Sequence, residues 1–365
     1  MHDLHARLYI YSRTSLMSTE LLHLGHPRLH TFFFALAFLV FSGSATQQLS
    51  AQVTSDPGRV VIVNNLDSTV SILDVSSLNV LKTLRVGVAP YFAAYGSGIL
   101  AVSVEGEGKI NFYDASSYTY KGSMNIGEME TEHLLTYRNG ERALFGSRSN
   151  NEIIVIDLKN MKEIKRIGGI SAPHNIQVGP SGRYAYVTSK INAGISIVDL
   201  ESNTVKAFHS VKVRPRGLTV SPDESRIYFG ANWVNGLFEM DAQTGKILRF
   251  INIAPPPGCP DLAENTYHGF EFITDEIMLA GLEGHSSIDI VHVPSGKVLS
   301  RFYDVDKPSA VLKIPGSKRD FMVACKGSND VLHLHLNQHN QVEVVKRTNV
   351  GHIRGTISKR LTYLP

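Results

Sequence analysis

Seven positions along the chain carry Tyr91, His133, His174, Arg216, His268, Ser309 and Arg354, with steps of 42, 41, 42, 52, 41 and 45 residues between them. Three imidazoles and two guanidiniums in one column are costly to gather unless water or a ligand satisfies them. Two chemistries fit. Neutral imidazole is a ligand for zinc, copper, nickel and iron, so His133, His174 and His268 could hold a divalent transition metal with one position open to solvent. Alternatively, Arg216 and Arg354 could grip a carboxylate or another anion through paired hydrogen bonds while the histidines donate or tune protonation. The metal reading is geometrically demanding. Metal–nitrogen bonds of about 2.0–2.1 Å require close convergence, the histidines come from different repeats, and Arg216 lies between two of them. The metal, the anion and ordered water alone all stay open at this point.

What positions that column is a repeat of about 42 residues. Asp74, Asp114, Asp157, Asp199, Asp241, His292 and His335 form a second column, with steps of 40, 43, 42, 42, 51 and 43 residues, and each ends a short apolar run such as VSILD or ISIVD. Units of this length without a helical period predict an all-β fold, a seven-bladed β-propeller of four-stranded antiparallel blades. In the fourth unit HNIQV, YAYVTS, ISIVD and VKAFHSV are the strands, separated by GPSGR, KINAG and LESNT. Taking the strands as A to D from the channel outward, the site column begins strand A. The D-to-A connections and B-to-C loops then share one face, which adds Glu132, Tyr267, His352, Glu105, Glu107, Asn151, Lys190, Trp233 and His285 to the mouth of the central channel. The segment PPPGCPDLAENTY before the sixth unit should hang over that mouth, and long loops in compact repeats are more often functional than accidental.

The ends of the chain break the order. GRVVIVNN, TVSILD and VLKTLRV are B, C and D strands with no A before them, whereas RGTIS, from Arg354 to Ser358, is an A strand with nothing after it. The C-terminal strand is therefore expected to join the N-terminal blade and close the ring, removing exposed edges. The Asp column reads as turn caps, since a carboxylate at the end of strand C can accept from backbone N–H groups of the next turn. His292 and His335 are expected to act likewise. The pair His333 and His335 lies on the outer part of a blade.

The 365 residues include 36 Lys and Arg, 33 Asp and Glu and 43% hydrophobic residues, a globular composition. Residues 31–41 (TFFFALAFLVF) follow Arg28 and His30 and precede SGSA, the pattern of an export leader cleaved after Ala45. The run is short of the roughly 20 apolar residues that a span needs, although an uncleaved anchor is the alternative, and Met17 is an alternative start. No Cys follows it, as a lipoprotein would require. The expected organisation is a signal peptide over 1–45, a linker over 46–58 and one propeller domain over 59–365, secreted or periplasmic, with no stable membrane span. Without the leader, 33 basic and 31 acidic side chains remain, and nothing in that balance suggests nucleic acid or anionic lipid. Cys259 lies in a loop and Cys325 in a strand; their bridging is open, with a buried Cys325 and a partly exposed Cys259 as the simpler state. No CxxCH occurs, so covalent c-type haem is excluded. There is no GxSxG, P-loop or HExxH.

YAYVTS after PSGR, with the spacing to ISIVDLESNTV, resembles the YVTN family of β-propeller repeats. The likeness is closest in the fourth and fifth units. Relatives of that family include the d1-haem propeller of cytochrome-type nitrite reductases and exported or surface-layer proteins, so the resemblance implies the fold and an exported setting. The repeat motif is structural and carries no chemistry of its own, and no haem-ligand motif accompanies it. The expected function is a binding module whose channel mouth takes a small anionic molecule or a protein partner. The alternative is a metal-dependent enzyme, a lyase or oxidoreductase, built on the His/Arg ring. The ligand-binding candidates are Tyr91, His133, His174, Arg216, Tyr267, His268, His285 and Arg354. Since they line a mouth, each should tolerate Ala with little loss of stability.

Overall fold

Strand runs stay short because Gly, Pro, Ser and Asn interrupt them, and tight turns need those residues; Gly182, in the turn GPSGR, sits at φ +69°. The computed structural model describes residues 58–127, 131–189, 191–253, 267–352 and 361–364, apart from the side chains of 131, 132, 268 and 361–364. These residues form seven four-stranded antiparallel sheets. Blade 4 shows the pattern: Pro173–Val178 innermost, then Tyr184–Ser189, Gly194–Asp199 and Thr204–Ser210. Its second and third strands are almost wholly buried, while the outermost alternates between exposed and half-buried. A strand packed on both faces is mostly apolar, with its few polar groups hydrogen-bonded, which is why these runs show no clean alternation.

The core lies between blades rather than within them. Val61, Val63 and Val70 of blade 1 pack with Leu100, Val102 and Tyr113 of blade 2, and Val60, Ile62 and Leu73 pack with Met322, Ala324 and Val331 of blade 7. Burying each such Val, Ile or Leu contributes about 1.5–3 kcal/mol, so every blade depends on its neighbours. The chain is an all-β seven-bladed propeller.

The N-terminal strands of blade 1 are Arg59–Asn64, Thr69–Asp74 and Val80–Arg85, three strands as the sequence suggests. The place beside Arg59–Asn64 is taken by Leu361–Leu364, with Arg59 opposite Leu364 and Ile62 opposite Leu361. Arg354 to Ser358, expected to supply that strand, lie outside the described residues. Most connections from an outer strand to the next inner strand span four or five residues, whereas the one from Asn349 to Leu361 spans eleven.

The Asp column caps turns. Asp74 accepts from the Ser76 hydroxyl, and Asp114, Asp157, Asp199 and Asp241 accept from the N–H groups of Ser117, Asn160, Ser202 and Thr244 at 2.9 to 3.1 Å. These bonds hold all five carboxyls below their usual range, and the Ser221 hydroxyl brings Asp223 down to about 2. His292 Nδ1 lies 2.8 Å from Ser295 Oγ, whereas His335 Nδ1 lies 2.9 Å from Asp320 Oδ1 on the adjacent strand. A carboxyl depressed in the folded state stabilises it above the unfolded pKa of about 3.9 and loses that contribution as pH falls through the folded value. The contribution of the caps is therefore expected to be constant above about pH 5, and the melting temperature to fall steadily from about pH 4 towards pH 2. A scan by circular dichroism checks this; a flat profile down to pH 2 would show the caps to be energetically idle.

Candidate functional site

Strand A does not enter its sheet smoothly. In blades 2 to 7 its pairing with strand B slips register at Pro90/Ala93, Glu132/Leu134, Pro173/Ile176, Pro215/Leu218, Tyr267/Gly269 and Pro308/Ala310. The skipped residues include Tyr91, His133, His174, Arg216, His268 and Ser309. A bulge at the rim re-aims a side chain that regular pleating would send into the blade, so the column seen in sequence is a ring of bulges at one end of the channel. Strand B helps to hold it. Thr188 Oγ1 accepts from Asn175 N at 2.9 Å and donates to Arg216 O at 3.1 Å, tying two neighbouring bulges together, and Ser103 Oγ accepts from Phe92 N at 2.9 Å.

The candidates divide on this ring. Tyr91 is buried in the apolar core, edge-on to Phe92. Tyr267, also buried, donates its hydroxyl to Asp289 at 3.0 Å. His133 sits at φ +44° with Nδ1 3.0 Å from Ile176 O and Nε2 3.3 Å from Asn175 Nδ2, while Asn175 Oδ1 accepts from Leu218 N at 3.4 Å. Nδ1 also lies 3.0 Å from Ile176 N, so it either donates to Ile176 O or accepts from Ile176 N–H, according to the tautomer. His133 thus links blades 3, 4 and 5, and its ring nitrogens are already engaged. Its tolerance of Ala changes accordingly. His133→Ala removes the ring from Asn175 Nδ2 and from the Ile176 backbone and is expected to cost about 1–3 kcal/mol; denaturant unfolding measures it, and a loss below about 0.5 kcal/mol would return His133 to the ligand-facing group.

His174 and Arg216 are buried at the mouth. The backbone at His268 lies in Tyr267–Phe272, with its side chain outside the described residues, as is Arg354. His285 is half-buried, and neither ring nitrogen has a hydrogen-bond partner among the described residues. Among those residues no three His, Cys, Asp or Glu side chains are grouped to hold a metal ion. Trp233 is 65% exposed, so it does not cover its blade. Cys325 is a buried free thiol whose pKa burial pushes up to about 12, while Cys259 lies outside the described residues. No helix among the described residues is long and apolar enough to cross a membrane.

Two groups that sequence reasoning passed over complete the mouth. Glu283 directly follows strand B of blade 6, Ile277–Leu282, and Lys326 directly follows strand B of blade 7, Asp320–Cys325. Their side chains form an ion pair, with 5% and 11% of their surface exposed. Burial and then the charge of Arg216 push the Lys326 ammonium down to about 8; contact with Glu283 favours the protonated form. The residue after strand B is Asn65, Glu105, Arg148, Lys190, Asn232, Glu283 and Lys326 around the ring, a polar column that could have flagged them. Deeper in the channel a cavity of about 270 Å³ is lined by Asn175, Gln177, Glu271 and Ser309 among apolar neighbours. Burial raises the Glu271 carboxyl to about 7, opposed by Lys313. The site can therefore neutralise an anion at its mouth and exchange a proton below.

The cytochrome D1 heme domain family model matches residues 143–260. Among curated proteins the chain is 23% identical over 126 residues to the seven-bladed beta-propeller protein Rv1057 of Mycobacterium tuberculosis, covering 33% of this chain and 32% of that one. It is 26% identical over 199 residues to antigen Lp49 of Leptospira interrogans, covering 46% and 42%. Over about a third of its length the chain is thus similar to the cytochrome d1 heme domain family. The matches span about a third to two fifths of those relatives' lengths. Among solved structures, Kuenenia stuttgartiensis hydrazine synthase matches this propeller with a TM-score of 0.67 at 16% identity, covering 77% of this chain and 93% of that one. The dihydro-heme d1 dehydrogenase NirN in complex with DHE matches with a TM-score of 0.58 at 14% identity, covering 82% and 65%. These two likenesses concern the fold alone.

Proposed function

We propose that this propeller binds a small organic anion, a carboxylate in the first instance, at the mouth of its channel, with Arg216 and Lys326 as the binding cations. The supporting observation is a pair of buried cations, with the charge of Arg216 acting on Lys326, gathered beside Glu283. Cations gathered in a poorly solvated mouth are stabilised by an anion. A protein partner presenting a carboxylate satisfies the same chemistry, as does a tetrapyrrole bearing carboxylates, the class suggested by the heme-domain match. The metal-dependent enzyme has less support, since His133 is engaged with blade 4 and the reading then rests on His174 and His268. We also take Leu361–Leu364 as the strand that closes the ring, and residues 1–45 as an export leader.

The test is thermal shift with pyruvate, citrate, phosphate and haem, beside zinc, nickel and copper. An anion at a hundred times its Kd should stabilise the parent by about 2.7 kcal/mol, and Arg216→Gln with Lys326→Gln should lose the response. The response should weaken as pH rises from about 7 past about 8, because Glu271 ionises and Lys326 loses its proton. Stabilisation by metals alone would overturn the reading.

A further inference from the structure

We propose that the cavity inside the channel binds a small primary amine as its ammonium ion, with the Glu271 carboxylate as the counter-charge. This site is separate from the anion mouth and does not depend on it. Its wall is one-sided in hydrogen-bonding capacity: Gln177 Nε2 donates to Val178 O at 3.3 Å, the Ser309 hydroxyl donates to Ala324 O at 3.3 Å, and Asn175 Nδ2 lies 3.3 Å from His133 Nε2. These donors are spent on the protein. The acceptors are not, for the half-buried Glu271 carboxylate makes no hydrogen bond or ion pair among the described residues, and neither does Gln177 Oε1. Lys313, whose charge acts on that carboxylate, donates its ammonium to Ile273 O at 2.7 Å and is not part of the cavity wall.

An ammonium group carries three N–H donors and no acceptor, so it complements a carboxylate set beside an amide oxygen and a hydroxyl oxygen, and its bond to the carboxylate is of the strong, charge-assisted kind. An anion would meet like charge here. Leu135, Leu218 and Phe270 line the remaining wall and suit a short alkyl chain. A volume of about 270 Å³, at roughly 30 Å³ for each water-sized atom, admits about nine heavy atoms, which is the size of a short alkylamine and not of a peptide. Burial raises the Glu271 carboxyl to about 7, opposed by Lys313, whereas an alkylammonium, like a lysine, keeps its proton up to about pH 10. Ionisation of the carboxylate therefore sets the affinity, and the dissociation constant should fall about tenfold between pH 6 and pH 8.

Isothermal titration calorimetry of the full chain with n-butylammonium chloride at both pH values, beside 1-butanol and potassium chloride, tests this. Glu271→Gln keeps the shape and drops the charge, so it should weaken butylammonium binding at pH 8 by on the order of tenfold or more. Gln177→Met removes the amide oxygen and leaves the carboxylate; it should weaken binding several-fold and keep the pH dependence, a result that does not require the Glu271 variant to fold. Binding of 1-butanol as tight as that of butylammonium would mean an apolar cavity and overturn the proposal, as would an equal response to potassium chloride, which also reports any chloride held at the mouth. An affinity unchanged between pH 6 and pH 8, or no binding of butylammonium at all, overturns it as well.

Discussion

A chain ended at Asn349 is expected to lose cooperative unfolding altogether rather than to melt a few degrees lower. Truncation removes Leu361–Leu364 from the side of Arg59–Asn64, along with the contacts of His352, whose N–H donates to Asp67 Oδ2 at 2.6 Å and whose Nδ1 lies 3.0 Å from Oδ1. Val60, Val61 and Ile62, all fully buried in the whole chain, then flank an open edge. At about 1.5–3 kcal/mol for each such side chain, their exposure approaches the whole stability of a domain, about 5–15 kcal/mol. The open strand would also present unpaired backbone groups to other chains. Circular dichroism melts and sedimentation decide the matter. A truncated chain that remains monomeric and melts within a few degrees of the parent would show that packing between blades 1 and 7 holds the ring without the strand.

The second large effect is expected at Asp289, which is fully buried and accepts from the Tyr267 hydroxyl at 3.0 Å and from Arg301 Nε and Nη2 at 2.5 and 3.0 Å. Asp289→Ala leaves a largely buried guanidinium without its counter-charge, which typically costs about 3–5 kcal/mol. Asp289→Leu with Arg301→Met removes both charges and should recover much of that loss. Tyr267 adjoins the bulge at His268, so Asp289→Ala should also weaken the thermal response to anions. Denaturant unfolding of the single and double variants gives the coupling directly. Additive losses would mean that Asp289 and Arg301 do not act as a pair.

The strand content, the blade count and the turn caps were legible because they are local. A turn cap needs only its carboxylate and the next three residues, so Asp114 and Asp241 could be understood from the chain alone. The ring at the mouth was legible only as a column, since every residue that starts strand A meets the same bulge. What each residue there does depends on a partner that lies on another strand or on the next blade. His133 finds Asn175 and Ile176 on the next blade, and Tyr267 finds Asp289 two strands out, so both became structural.

By itself, then, the sequence determined the seven blades, their four strands and the face on which the site column lies, because short-range periodicity and turn chemistry suffice for these. Only the tertiary structure decided that Leu361–Leu364 lies beside Arg59–Asn64, and that Glu283 and Lys326 meet near Arg216. Pairing along an edge is settled by which strand fits against its neighbour, and the meaning of a charge by the charges that reach it. Here those charges come from three different blades, brought together by the curvature of the ring.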